Sequence, residues 1–269
     1  MKLTNYLSLA MLVTCVSLFS CSEDEVVVDP TAGLTKITEG IATDAGVKVE
    51  LWAKEELFVG YNPVFVALYD AETNKRITDA HVSFGPLMTM TTMNHACPFE
   101  NPTSENATGY LFPGSITFIM GSGDMGSWKL AVNVHNHLSE KEGSAELDVV
   151  VSTPTVSRLK SFVTTTGEKY FMAYTFPDKT KVGVNDISFM LYKKETMMSF
   201  PGVGDFTMSM EPEMPAMGHG SPNNVNPTHI ANGAYAGKVN FTMTGDWRLN
   251  LQLTKGDLVQ DVFFDVTLN

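Results

Sequence analysis

The sequence predicts an all-β protein made of two tandem immunoglobulin-like β-sandwich domains, set behind an N-terminal export signal and a tether. Three observations point there. Five short blocks of residues recur in the same order in the two halves of the 269-residue chain. Ser115 to Met120, Trp128 to Val134, Lys238 to Met243 and Trp247 to Leu253 alternate with period two, Val64 to Tyr69 and Ile187 to Tyr192 are short apolar, aromatic and β-branched runs, and Gly, Pro and Asn separate them. Beyond the N-terminal apolar run, no stretch carries the period of an amphipathic helix.

The N-terminus comes first. Lys2 precedes an apolar run from Leu7 to Phe19, too short to span a bilayer and of the length of a signal-peptide core. The run ends Leu18-Phe19-Ser20-Cys21, which resembles the lipobox of bacterial lipoproteins. That resemblance implies that residues 1–20 are a lipoprotein signal peptide and that Cys21 is lipidated, anchoring the chain to a membrane. Ser22-Glu23-Asp24-Glu25 directly behind it resembles the export signal of surface lipoproteins in Gram-negative bacteria, which implies an outer-membrane, cell-surface address. Residues 21–45, with Pro30, Gly33 and Gly40, read as a lipidated acidic tether.

The two domains are expected at 46–152 and 160–269. Val59-Gly60-Tyr61-Asn62 in the first is matched by Val182-Gly183-Val184-Asn185 in the second. Met90-x-x-Met93-x-His95-x-Cys97-Pro98 is matched by Met214-x-x-Met217-x-His219-x-Ser221-Pro222. Asn101-Pro102-Thr103, Gly114-x-Ile116-x-Phe118-x-Met120 and Gly126-x-Trp128-Lys129-Leu130 recur as Asn226-Pro227-Thr228, Gly237-x-Val239-x-Phe241-x-Met243 and Gly245-x-Trp247-Arg248-Leu249. The spacing stays close to about 120 residues throughout, which indicates duplication. About seven short strands per unit is the pattern of an immunoglobulin-like sandwich. Trp128 and Trp247 are expected to fill the two cores, with the linker near Thr153-Pro154.

Composition excludes several functions. With 18 Lys+Arg against 30 Asp+Glu and a net charge of −12, the chain lacks the basic footprint that nucleic acid requires. Three Cys cannot make a disulfide scaffold, and after loss of Cys15 and acylation of Cys21 only Cys97 remains a free thiol. No nucleophile elbow, H-E-x-x-H, P-loop or dinucleotide fingerprint is present. No carboxylate pair stands out as an acid/base couple, so the protein is expected not to be an enzyme.

The 16 Met are the unusual feature. They concentrate in two windows, Met88, Met90 and Met93 before His95, and Met208, Met210, Met214 and Met217 before His219. Pro212, Pro215, Gly218 and Gly220 argue against a regular central strand there, so these segments are expected to be loops or strand edges. Thioether sulfur is a soft neutral donor that suits Cu(I), and imidazole suits either copper oxidation state. Neither forms a disulfide outside the cytoplasm. In an extended Met-x-Met step alternate side chains share a face, so Met88 with Met90, or Met208 with Met210, are expected to converge, and a turn brings Met93 and His95, or Met217 and His219, towards them. Cys97 replaces Ser221 in the first copy and would tighten Cu(I) binding. His95, Cys97 and a Met are also ligand types of a blue-copper site, which needs a second His, so electron transfer is not expected. His135 and His137 could share a face as a pair, but the second copy has no equivalent and a solvated loop is expected. His229 is an optional extra ligand and His81 a strand residue.

Met214-Pro215-Ala216-Met217-Gly218-His219-Gly220, followed by Gly233-x-Tyr235 and the Gly237-to-Leu249 block, resembles the YtkA-like domain, a family of small extracytoplasmic β-sandwich modules related to the FixH-like proteins. The resemblance covers most of residues 165–269. It is weaker over 47–152, where Thr91-Thr92 stands in place of Pro-Ala, and Asn94 and Ala96 in place of Gly. It implies an extracytoplasmic module associated with copper or heavy-metal handling. The resulting expectation is a Cu(I)-binding lipoprotein that passes copper to or from a protein partner. The alternative is a surface interaction or adhesion module whose Met segments form an apolar contact patch.

Overall fold

The structure, a computed structural model, describes residues 29–269. The expected signal peptide, the expected lipidation site Cys21 and the start of the expected tether lie outside the described residues. The first sandwich is built from β1 (Thr35–Ala42), β2 (Val47–Ala53), β3 (Gly60–Asp70), β4 (Arg76–Ile77), β5 (Ala80–Thr89), β6 (Asn94–His95), β7 (Phe99–Glu100), β8 (Phe112–Phe118), β9 (Ser127–Asn136) and β10 (Lys141–Val149). The second uses β11 (Leu159–Val163), β12 (Lys169–Thr175), β13 (Gly183–Lys193), β14 (Thr207–Met214), β15 (His219–Gly220), β16 (Val225–Ala231), β17 (Ala234–Phe241), β18 (Gly245–Lys255) and β19 (Leu258–Leu268).

Strand order is the same in both. One sheet runs β1-β2-β3-β8-β7 and faces β10-β9-β5-β6; the other pair is β11-β12-β13-β17-β16 and β15-β14-β18-β19. This is the immunoglobulin-type arrangement of two antiparallel sheets closed over one core. The alternation that predicted strands is the burial pattern itself in β9 and β18, and β14, expected as a loop or strand edge, alternates exposed and buried over all eight residues. Trp128, Phe112 and Phe118 fill the first core, and Trp247, Tyr235 and Phe264 the second.

The recurring Asn residues are structural pins. Asn62 donates from Nδ2 to the Phe58 and Gly60 carbonyls at 2.8 Å, and Asn185 does so to Lys181 and Gly183 at 2.8 Å. Asn101 and Asn226 accept the Phe84 and Met210 amides at 2.8 and 2.9 Å, satisfying an edge that lacks a full partner strand.

One expectation changes. The stretch read as tether already contains a strand: Thr35–Ala42 pairs with β2, and Ala42 and Ala45 are part of the first core. Gly40 suggested flexibility, yet a Cβ there would meet Leu147 Cδ2 at 2.7 Å, so this glycine allows β1 to lie against β10. In β12 and β13 consecutive residues are buried on both faces. Phe171, Met190 and Tyr192 turn outward and pack with Phe200 against Tyr61, Ala96 and Ile119 of the first sandwich. The Ala96 amide donates to the Met197 carbonyl at 2.9 Å across this contact.

Candidate functional site

At one end of each sandwich three residues stand in a row across three neighbouring strands. His95 on β6 is opposite Met88 on β5, which is opposite Trp128 on β9. In the second sandwich His219 on β15 is opposite Met214 on β14. The Glu213–Arg248 pair sets the β14–β18 register, and one step further places Met214 beside Trp247. Directly opposed side chains share a face with Cβ atoms about 5 Å apart. The outer two rings lean over the Met: His95 meets Trp128 edge-on at 5.3 Å between centroids, and His219 meets Trp247 at 5.9 Å. Each indole is fixed by its Nε1, which donates to the Met120 carbonyl at 2.9 Å or the Met243 carbonyl at 3.1 Å.

The imidazoles are oriented alike. His95 Nδ1 lies 2.8 Å from the Ala96 carbonyl, and His219 Nδ1 lies 3.0 Å from the Gly220 carbonyl. A carbonyl only accepts, so Nδ1 carries the hydrogen and Nε2 of the neutral ring keeps a free lone pair. Metal-binding histidines are commonly held this way, with the second nitrogen donating to a backbone carbonyl. His95 is 3% exposed. Its Nε2 is the one buried side-chain nitrogen or oxygen without a partner among the described residues, and such an orphan costs about 1–3 kcal/mol.

Glycine shapes the site as well. A Cβ on Gly126 would lie 3.1 Å from both Met88 Cε and Met90 Cγ, and one on Gly245 would lie 3.1 Å from Met214 Cε. The two thioether side chains of the first copy thus converge over Gly126, and Met214 occupies the same place over Gly245.

The predicted ligands divide accordingly. Met88, Met90 and His95 come together, as do Met214 and His219. Met93 and Met217 sit at the hairpin tips, 50% and 61% exposed. Cys97 is buried in the first core, where desolvation pushes its thiol well above the ordinary range. Met208 and Met210 do not join their site. They lie in strand β14 opposite Leu253 and Leu251, about 20 and about 14 Å along the strand from Met214, and they fill the second core. Of the loop or strand edge expected from the Pro residues, the structure has a strand edge, because β15 reaches only Glu213 and Met214. Pro212 shares the edge on which the Met210 amide meets Asn226, so its missing N–H breaks no ladder bond. The sequence match also needs shifting: it equated Met90 with Met214, whereas strand register equates Met88 with Met214. The hairpin from Met88 to His95 is longer than that from Met214 to His219.

Trp128 and Trp247 were read as core residues only. Their recurrence at a fixed place after Gly126 and Gly245, in step with the His residues, was the available signal. Among the described residues no three His, Cys, Asp or Glu side chains converge on one point, so any soft-ion site here depends on thioether donors.

Fold and site define a tandem β-sandwich protein with a Met/His/Trp row in each half. Residues 164–252, within its second half, match the YtkA-like family. No curated protein matches the chain. Among solved structures, adhesin InvE of Yersinia pseudotuberculosis is 15% identical, over 89% of this chain and 59% of that one, with a TM-score of 0.25. A conserved domain protein from Bacillus anthracis is 10% identical over 90% and 93%, with a TM-score of 0.36. The Ig tandem domains of titin are 8% identical over 87% and 98%, with a TM-score of 0.18. This chain therefore spans 59% of the InvE chain.

Proposed function

We propose that the protein is a non-enzymatic, extracytoplasmic copper-handling module that binds Cu(I) once in each sandwich. The carrying observation is the His–Met–Trp row in both halves, with Nδ1 tied to a carbonyl and Nε2 free. A lone-pair imidazole nitrogen beside a thioether matches a soft monovalent ion. The indole face adds cation–π attraction within a desolvated site. In the first half the donors are Met88, Met90 and His95; in the second they are Met214 and His219, with Met217 at the open tip.

The duplication extends the YtkA-like reading to the first sandwich, and the Leu18-to-Cys21 motif with its acidic run supports lipid anchoring at the outer membrane, facing outward. A protein partner that gives or receives copper follows from the open second site.

The test is anaerobic titration of the mature protein with Cu(I) against a competing chelator, read also by tryptophan emission. Two ions per chain are expected, one lost in His95→Ala and one in His219→Ala, each with a change in emission. Equal binding by the wild type and the double variant would refute the reading and leave a protein-contact module, with exposed Met217 and Met243 as its patch.

A further inference from the structure

A second row lies at the other end of β5 and β9, on the outer face of the first sandwich. His81 on β5 is opposite His135 on β9, and His135 is opposite Glu142 on β10. The three side chains line a surface depression of about 520 Å³. His137, two residues along from His135 and on the same face, brings its ring to 5.0 Å from the His135 ring. Half of the chain's 6 His therefore gather on one small area. At the matching register the second sandwich has Thr207 opposite Thr254, so the cluster is not part of the repeat.

Carboxylates surround it. Asp79 bonds His137 Nδ1 at 2.6 Å, and Glu105 lies 3.5 Å from His81 Nδ1. Glu140 and Glu142 lie 3.6 and 3.9 Å from the two ring nitrogens of His135. In these rotamers the imidazoles face carboxylates and three donors do not share one point. The side chains of His81, Glu105, Glu140 and Glu142 are 59%, 60%, 78% and 77% exposed, so they turn between staggered rotamers without repacking a core. Two ligands of one tetrahedral ion with bonds of about 2.0–2.1 Å have nitrogens about 3.4 Å apart. Cross-strand Cβ atoms about 5 Å apart bring the His81 and His135 nitrogens within that reach.

We propose that His81, His135 and Glu142, assisted by His137, form a site for a divalent borderline cation of the Zn(II) or Cu(II) class. Its donors are imidazole and carboxylate, the set that such ions prefer, whereas the Met/His/Trp rows carry the thioethers of a soft ion. The surrounding carboxylates offset the ion's charge and steer it to the depression. The inference does not rest on the Cu(I) reading, and the two sites are separable by probe.

The experiment uses Zn(II) alone, titrated into the untagged mature protein against a fluorescent chelator near neutral pH, where imidazole is deprotonated enough to bind. Wild type is expected to take up one Zn(II) saturably. His135→Ala and His81→Ala each weaken it at least about tenfold, while the His95→Ala, His219→Ala double variant binds as wild type. Histidine side-chain NMR shifts on Zn(II) addition should fall on His81, His135 and His137. No saturable binding, unchanged binding by the His81→Ala, His135→Ala double variant, or loss in the His95→Ala, His219→Ala variant would each overturn the proposal.

Discussion

The two Met/His/Trp rows share strands, register and ring orientation, and they differ in enclosure. His95 is buried with an unpartnered Nε2, and its neighbour Ala96 is tied to the second sandwich through the Met197 carbonyl. His219 is half-buried, and the next residue, Gly220, is exposed. The longer first hairpin adds Met90 over Gly126, where the second has Met214 alone over Gly245. The comparison teaches that one strand row serves either as a sealed station or as an open one, according to hairpin length and what docks beside it. Under the proposed function the open site exchanges its ion readily and the sealed one slowly.

The largest expected break in this comparison comes from the glycines under the thioethers. Gly126 and Gly245 have φ of 157° and 126°, which side-chain-bearing residues rarely adopt. A Cβ on Gly126 would also press on the Thr89 carbonyl at 2.6 Å, whereas on Gly245 it meets only the flexible end of Met214 at 3.1 Å. Gly126→Ala should cost about 2–3 kcal/mol and Gly245→Ala about 1–2 kcal/mol, measured by denaturant unfolding. Equal losses would mean that the first site is no more tightly packed than the second.

Much of this was legible beforehand. Period-two alternation located β8, β9, β17 and β18, and the recurring Gly-x-Asn and Asn-Pro-Thr blocks marked pins that the structure shows hydrogen-bonded. What escaped depends on register between distant strands. Softness alone grouped Met208 and Met210 with His219, because composition does not say how far along a strand a side chain lies. Gly40 was taken for slack because a close approach by Leu147 is a tertiary fact. The Trp residues were seen as filling, since their meeting with His requires β6 and β15 to sit beside β5 and β14.

A smaller effect has the opposite sign. His95→Leu removes the Nε2 orphan, worth about 1–3 kcal/mol, and loses the bond from Nδ1 to the Ala96 carbonyl, worth about 0.5–1.5 kcal/mol. The variant should gain about 1 kcal/mol in chemical denaturation. His219→Leu, on a half-buried site, should change stability by less than about 0.5 kcal/mol. A gain on abolishing binding at His95, and none at His219, is what a sealed functional residue held against stability predicts. A loss at His95 would make the ring a packing residue and dissolve the distinction.

The smallest effect separates the two sandwiches by pH. Asp79 hydrogen-bonds His137 and raises its pKa above the ordinary imidazole value, against an opposing desolvation. A folded pKa above the unfolded one of about 6.5 means the pair's contribution is full below that value and is lost as pH rises through the raised pKa. Asp79→Asn should therefore lower the unfolding midpoint at about pH 5 and leave it unchanged at about pH 9. The pair is open to solvent on one side, with His137 25% and Asp79 60% exposed, so salt should weaken the difference at low pH. The matching positions of the second sandwich carry Thr207 and Thr254, so its own unfolding should not respond. A midpoint difference that stays constant across this range would show that Asp79 acts through its loop and not through the imidazolium. The outer His cluster would then lose its one charge-stabilised member, while the row of His81, His135 and Glu142 would stand unaffected.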